Sequence, residues 1–239
     1  MNNEHLALHS TLEADGIRVS FGERIVIRSI YVKVSTGRVT GLVGRNGCGK
    51  STLMRVIHGS LGVSEKSIRI DGCSVQHAYQ HGVMFTPQHG FIPSSRSVRG
   101  VVRDHDLDFD RLAACFPIFG SHMRAPVSTL SGGERRLLET FMVLTSPHAR
   151  FCLLDEPFSQ ISPLHIEVIM RLISEEKSRK GIMVADHMYR QILDICDDIY
   201  TITNGTTRPL RSPDKLNRPD SSDSPISPLE ELRRLGYLP

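Results

Sequence analysis

Eight consecutive residues, Gly44-Arg45-Asn46-Gly47-Cys48-Gly49-Lys50-Ser51, fill every fixed position of the pattern G-x-x-x-x-G-K-[ST]. The pattern constrains the fold because it demands a strand, a tight glycine loop and a helix in that order. The flanks agree: Val39-Thr40-Gly41-Leu42-Val43 reads as a buried strand, and Thr52-Leu53-Met54-Arg55-Val56-Ile57 reads as a helix. Glycines let the loop curl with its N–H groups inward, and those groups, with the start of the helix, cradle phosphates. Lys50 is placed to reach the β- and γ-phosphates of a nucleoside triphosphate, and the Ser51 hydroxyl to ligate Mg²⁺. Residues Gly44, Arg45, Asn46, Gly47, Cys48, Gly49, Lys50, Ser51 and Thr52 therefore form the candidate nucleotide-binding stretch.

The rest of the chain alternates strand and helix patterns. Ile17–Phe21 and Ile25–Val34 alternate apolar and polar residues around Gly22-Glu23, which predicts an antiparallel hairpin or meander. Ser67–Ile70, running into the Asp71-Gly72 turn, and the short runs Val83–Thr86, Phe151–Leu154, Ile182–Ala185 and Ile199–Ile202 predict further strands, the last closed by Asn204-Gly205. Ser131–Thr145, His165–Arg179 and Tyr189–Cys196 carry helical periodicity. Residues 89–129 have no strand pattern and only broken helical spacing, so a small helical insert of about 89–146 is expected. The fold class is α/β, with a mostly parallel sheet flanked by helices and an added antiparallel β subdomain. The main domain is expected over residues 12–208. The tail 209–239, rich in Pro, Ser and Asp to Pro228, is expected to be partly disordered with one short helix over Leu229–Leu238.

Bulk properties narrow the function. A formal net charge of +3 over 239 residues, with both signs intermixed, does not argue for a nucleic-acid or anionic-membrane surface. Arg135-Arg136 and Arg233-Arg234 read as solvated helix faces. No apolar run reaches the ~20 residues that span a bilayer, and no secretory leader pattern is present. The five cysteines are scattered without a C-x-x-C pair, which fits a reducing cytosol. Cys48 sits inside the phosphate loop, where the helix N-terminus and Lys50 favour a thiolate; a small residue that simply fits the loop is the plainer account.

Leu130-Ser131-Gly132-Gly133-Glu134 opens the Ser131–Thr145 helix with exposed N–H groups, a hydroxyl and a positive dipole end, a second anion site. The same residues also spell an N-cap with a capping-box Glu134. Downstream, Phe151-Cys152-Leu153-Leu154-Asp155 ends a buried strand on a carboxylate able to hold Mg²⁺, and Glu156-Pro157 follows. Phosphate loop, Leu-Ser-Gly-Gly-Glu and Asp-Glu in this order resemble the ATP-binding-cassette (ABC) ATPases, from about Leu12 to Gly205.

The resemblance implies a P-loop NTPase core of the ABC type and a head-to-tail dimer of two copies. Each ATP would lie between the phosphate loop of one subunit and Ser131, Gly132 and Gly133 of the other. It further implies that Glu156 is the catalytic base, that His187 contacts the γ-phosphate, and that Gln88 contacts Mg²⁺ or the attacking water. Phe21 stands where the family stacks an aromatic on adenine, and Ser51, Gln88 and Asp155 are the implied metal residues. ATP and Mg²⁺ are the implied cofactors. The expected activity is ATP hydrolysis coupled to a membrane transporter through separate membrane-spanning permease subunits. That places the chain in the cytoplasm, on the inner face of the cell membrane. Asp-Glu-Pro-Phe and Asp186-His187 look similar to ATPases of lipopolysaccharide export and branched-chain amino-acid uptake. Two readings stand against transport: a soluble ABC ATPase acting on ribosomes or DNA, which the mild charge disfavours, and an ATP-binding regulator with little turnover. The chain departs from the family at Ser162, where an aspartate is usual, and slower or less cooperative hydrolysis is expected from it. The insert, 41 residues between Gln88 and Leu130, is compact for the family.

Overall fold

A computed structural model describes residues 9–210, 228–234 and 236. In chain order its strands are β1 (Thr11–Phe21), β2 (Arg24–Ile27), β3 (Tyr31–Ser35), β4 (Val39–Val43), β5 (Glu65–Ile70), β6 (Cys73–Ser74), β7 (Val83–Thr86), β8 (Phe151–Asp155), β9 (Gly181–Ala185), β10 (Asp198–Thr203) and β11 (Thr206–Leu210). Its α-helices are α1 (Lys50–His58), α2 (Val98–Asp104), α3 (Phe109–Cys115), α4 (Ile118–His122), α5 (Gly132–Thr145), α6 (Pro163–Glu176), α7 (Tyr189–Ile195) and α8 (Pro228–Arg234).

Six strands form the central sheet in the order β11-β10-β4-β9-β8-β7. All its neighbours are parallel except β11, which returns antiparallel to β10. Strands β4, β8 and β9 are buried at every residue, as expected where helices or a second sheet cover both faces. Alternate residues divide between two cores. Cys152, Leu154, Ile182 and Val184 pack with α5, α6, α7 and the insert. Phe151, Leu153, Met183 and Ala185 pack with α1 and the antiparallel sheet. That second sheet runs β2-β1-β5-β6, with β3 also paired to β1.

Three local features depart from the sequence-based expectation. Strand β1 starts at Thr11 rather than Ile17. Its alternation slips because Asp15 pairs with Ser67 while Arg18 pairs with Glu65, so one extra residue bulges beside Gly16, whose φ is +59°. The bulge lets Leu12 and Ala14 on one side, and Ile17 and Val19 on the other, all face the core. The run Ile25–Val34 is two strands, β2 and β3. Beyond β10, Asn204 (φ 52°) and Gly205 (φ 76°) turn the chain into β11, which sequence reading left out. Pro209 lies on this edge strand, where a missing N–H is tolerated, and Leu210 is buried.

Strand β11 thus takes in Pro209 and Leu210, the first two residues of the expected tail. The disorder expected there falls on residues outside those described, up to α8. Of the helix expected over 229–238, α8 covers the described residues to Arg234, and Leu232 is buried in the larger core. The insert is helical as expected. Ser97 and Asp108 cap α2 and α3 through their side chains. Phe116 meets Phe119 and Phe141 edge-on at 6.3 and 6.4 Å, joining the insert to α5. Among the described residues no helix is long and apolar enough to cross a membrane. The five cysteines are free thiols.

Candidate active site

The phosphate loop connects β4 to α1, and two positive φ angles shape it: Gly47 at 77° and Gly49 at 109°. Gly49 is the N-cap of α1 in a left-handed conformation that side chains rarely adopt. Gly44 answers to space instead: a Cβ there would lie 2.6 Å from Cys48 Sγ and 2.8 Å from the Ile202 carbonyl oxygen. Lys50 is buried inside the curl, its Nζ donating to the carbonyls of Gly44 (2.7 Å) and Arg45 (3.3 Å). Burial raises the Cys48 thiol above its ordinary pKa and outweighs the attraction of Lys50. The thiolate favoured by position alone is thus not favoured by the environment, and Cys48 serves as a small residue that fits.

Phe21, Asn46, Lys50, Ser51, Gln88 and Glu156 are among the residues lining one cleft of ≈ 450 Å³. Phe21 stands 53% exposed at this cleft, so it is a surface aromatic and not a core residue.

Asp155 ends β8 beneath the loop. Both its carboxylate oxygens are buried without a hydrogen-bond partner. Burial raises its pKa; the Ser51 side chain is near enough to oppose this without completing a well-formed hydrogen bond, and Glu156 adds to the rise. A buried carboxylate with open lone pairs beside a serine hydroxyl is an oxygen-donor set suited to Mg²⁺.

Glu156 follows at φ 53°, with its N–H donating to the Ala185 carbonyl at 2.7 Å. Its Oε2 accepts from Gln88 Nε2 at 2.9 Å and from the Ser159 hydroxyl at 3.2 Å. Gln88 and Glu156 also line a neighbouring cleft with His187, Gly132 and Gln160. His187, 52% exposed in its side chain, lies in this second cleft and not in the first. Its Nδ1 is 3.3 Å from Asp186 Oδ1. The sequence marked Asp186 only as the neighbour of His187, yet its buried carboxylate accepts from the amides of Phe158 (3.1 Å) and Met188 (3.0 Å), fixing the loops after β8 and β9 together.

Ser131 and Gly132 are exposed at the start of α5, and the capping box is present. The Ser131 amide donates to Glu134 Oε2 at 2.7 Å, and this bond is the largest reason that the Glu134 pKa is lowered. A Cβ on Gly133 would meet the Gln160 carbonyl oxygen at 2.6 Å, so that glycine admits the loop after β8. Gly132 lines the second cleft and none of Ser131, Gly132 and Gly133 lines the first. The N-terminus of α1 and that of α5 thus stand at separate places in one chain. Ser162 caps α6, its Oγ accepting from the His165 amide at 3.4 Å.

The arginine pair on α5 is not a solvated face. Arg136 is 8% exposed, and its guanidinium donates to the carbonyls of Pro87 (2.7 Å) and Gln88. A double arginine on an amphipathic helix looks like surface until the loop that covers it is known.

Several known proteins are similar to this chain. The family model described as ABC transporter matches residues 27–159. An uncharacterised ABC transporter ATP-binding protein of Rhizobium meliloti is 35% identical over 213 residues, covering 82% of this chain and 78% of that protein. The lipopolysaccharide export system ATP-binding protein LptB of Escherichia coli K12 is 30% identical, covering 82% of this chain and 88% of that protein. A solved ATP-binding subunit of an ABC transporter superposes with a TM-score of 0.76 at 19% identity, covering 95% of this chain and 93% of the other.

Proposed function

Because the chain belongs to the family of ABC transporter ATP-binding proteins, we propose that it binds MgATP in the cleft of Phe21, Lys50 and Ser51, hydrolyses it, and powers a membrane transporter. Phe21 offers its π-face to the adenine. The loop amides, the α1 N-terminus and Lys50 hold the phosphates. Ser51, Asp155 and Gln88 are the residues that would hold Mg²⁺, which supplies charge neutralisation on the β- and γ-phosphates. Glu156 takes the proton from the attacking water, and Gln88 and Ser159 fix its carboxylate for that task. His187 hydrogen-bonds the γ-phosphate once the two clefts close on one another.

Two copies pair head to tail. Ser131, Gly132 and Gly133 of each then complete the site of the other. The exposure of Ser131 and Gly132 away from their own phosphate loop supports this pairing. The observation that carries the reading is the 2.9 Å contact of Gln88 with Glu156 on the rim shared by both clefts.

The chain works at the inner face of the cell membrane through separate membrane-spanning subunits. Tagged protein recovered from detergent-solubilised membranes tests the assignment. Co-recovery of a multi-span protein supports it, and recovery of ribosomes or nucleic acid instead overturns it.

A further inference from the structure

The loop from Pro87 to Ile92 is fastened to the first turns of α5 by three charged side chains, of which Arg136 and Glu139 are buried and Arg135 is partly buried. Arg136 donates one guanidinium nitrogen to the Pro87 carbonyl at 2.7 Å and the other to the Gln88 carbonyl. Glu139, 1% exposed, accepts on Oε1 from the amides of Phe91 (2.9 Å) and Ile92 (3.3 Å). The same oxygen accepts from Arg135 Nε at 3.2 Å, and Arg135 also donates to the Ile92 carbonyl. Gly90 makes room for this: a Cβ there would stand 2.5 Å from Arg135 Nε.

Five backbone groups of one loop are thus taken up by three side chains of one helix. Buried charges are retained only where such bonding satisfies them. The loop would need far less if its role were to connect β7 to the insert. What it carries is Gln88, whose amide rests on Glu156.

We propose that Arg136 is a positioning residue for ATP hydrolysis: by holding the Pro87 and Gln88 carbonyls against α5, with Arg135 and Glu139 fastening the rest of the loop, it keeps the Gln88 amide on the Glu156 carboxylate. The proposal rests on the roles of Gln88 and Glu156 proposed above. Arginine is required because its planar fork reaches two successive carbonyls at once, whereas lysine brings a single point charge.

The test is a cycle of four full-length proteins: wild type, Arg136→Lys, Gln88→Ala and the double variant, assayed for steady-state MgATP hydrolysis. A displacement of the catalytic groups by about 1 Å lowers turnover by up to ~10²-fold. Arg136→Lys is therefore expected to lower kcat by about tenfold or more, with KM for ATP changed by less than about twofold. In the Gln88→Ala background the same substitution is expected to change kcat by less than about twofold, because the group it positions is gone.

An unchanged kcat in Arg136→Lys, or an equal loss in both backgrounds, overturns the proposal. A destabilising effect on the fold as a whole produces that equal loss. If wild type turns nothing over, or Gln88→Ala does not slow it, the reading of Gln88 fails first. Amide hydrogen exchange of the wild type and Arg136→Lys then decides the latch. Faster exchange at Phe91 and Ile92, with α1 still protected, supports the fastening; unchanged exchange there overturns it.

Discussion

The side-chain amide of Gln88 donates to Glu156 Oε2 at 2.9 Å, although the two residues lie 68 positions apart and follow the adjacent parallel strands β7 and β8. Ser159 donates to the same oxygen, and on the proposed reading the carboxylate they hold is the general base. A positioned general base contributes about 10²–10⁴-fold. Glu156→Gln is therefore expected to reduce kcat by at least about a hundredfold while ATP affinity changes by less than about threefold. Single-turnover hydrolysis alongside equilibrium nucleotide binding checks both halves, and a variant with near wild-type turnover removes Glu156 from the chemistry.

Asp155 gives a prediction of opposite sign in two conditions. Its buried oxygens have no hydrogen-bond partner, and burial raises its pKa, so its charge opposes folding until a cation arrives. Asp155→Asn should have an equal or higher Tm than wild type in EDTA. It should also lose the additional stabilisation that MgATP gives over ATP alone. A Tm well below wild type in EDTA would show that the carboxylate is satisfied in the resting protein.

Phe21 separates a stacking platform from a packing residue. More than half exposed, it has little core to lose. Phe21→Ala should leave Tm within about 2 °C of wild type. Loss of an aromatic contact of about 0.5–1.5 kcal/mol weakens ATP binding by roughly twofold to tenfold. Calorimetric titration with ATP reads the second effect; unchanged affinity would place adenine elsewhere.

Glu176, fully buried, sits among Arg111 (2.7 Å), Arg179 (2.8 Å) and Lys180 (3.1 Å). Burial pushes its pKa up, but these cations outweigh it and leave it below the ordinary glutamate value. A folded-state pKa below the unfolded one means stability present above the unfolded pKa and lost as pH falls through the folded one. Wild type should therefore lose stability below about pH 4.5, and Glu176→Gln should flatten that limb. At pH 7 the substitution should cost about 3 kcal/mol, because it strands cations that the carboxylate pairs. Urea unfolding at several pH values tests both; parallel acid limbs for the two proteins would contradict the linkage.

The central sheet was legible in the sequence because its strands are short apolar runs set between helical periods, each carrying its pattern locally. Strand β11 escaped because Thr206–Leu210 contains Pro209 and is held only by pairing with β10. The first half of β1 escaped because the bulge at Gly16 breaks the period-two pattern that identifies a strand. The candidate site was proposed from the sequence where its residues lie in contiguous motifs: Gly44 to Ser51, Ser131 to Gly133, Asp155 and Glu156. The supports of those motifs were not. Arg136 and Asp186 act on backbone groups 48 and 28 residues away, and nothing in their local spacing records those partners. Reading Arg135-Arg136 as a solvated face followed from composition alone, and the loop after β7 reverses it.

The central claim is that two copies close around nucleotide, each lending Ser131 and its glycines to the other. Glu156→Gln, expected to keep its affinity for ATP while turning it over far more slowly, is the protein on which to measure this, by sedimentation or light scattering at saturating MgATP. The expected result is a dimer that reverts to monomer when ATP is withdrawn or when Ser131→Arg is added. A protein that remains monomeric in saturating MgATP would contradict it.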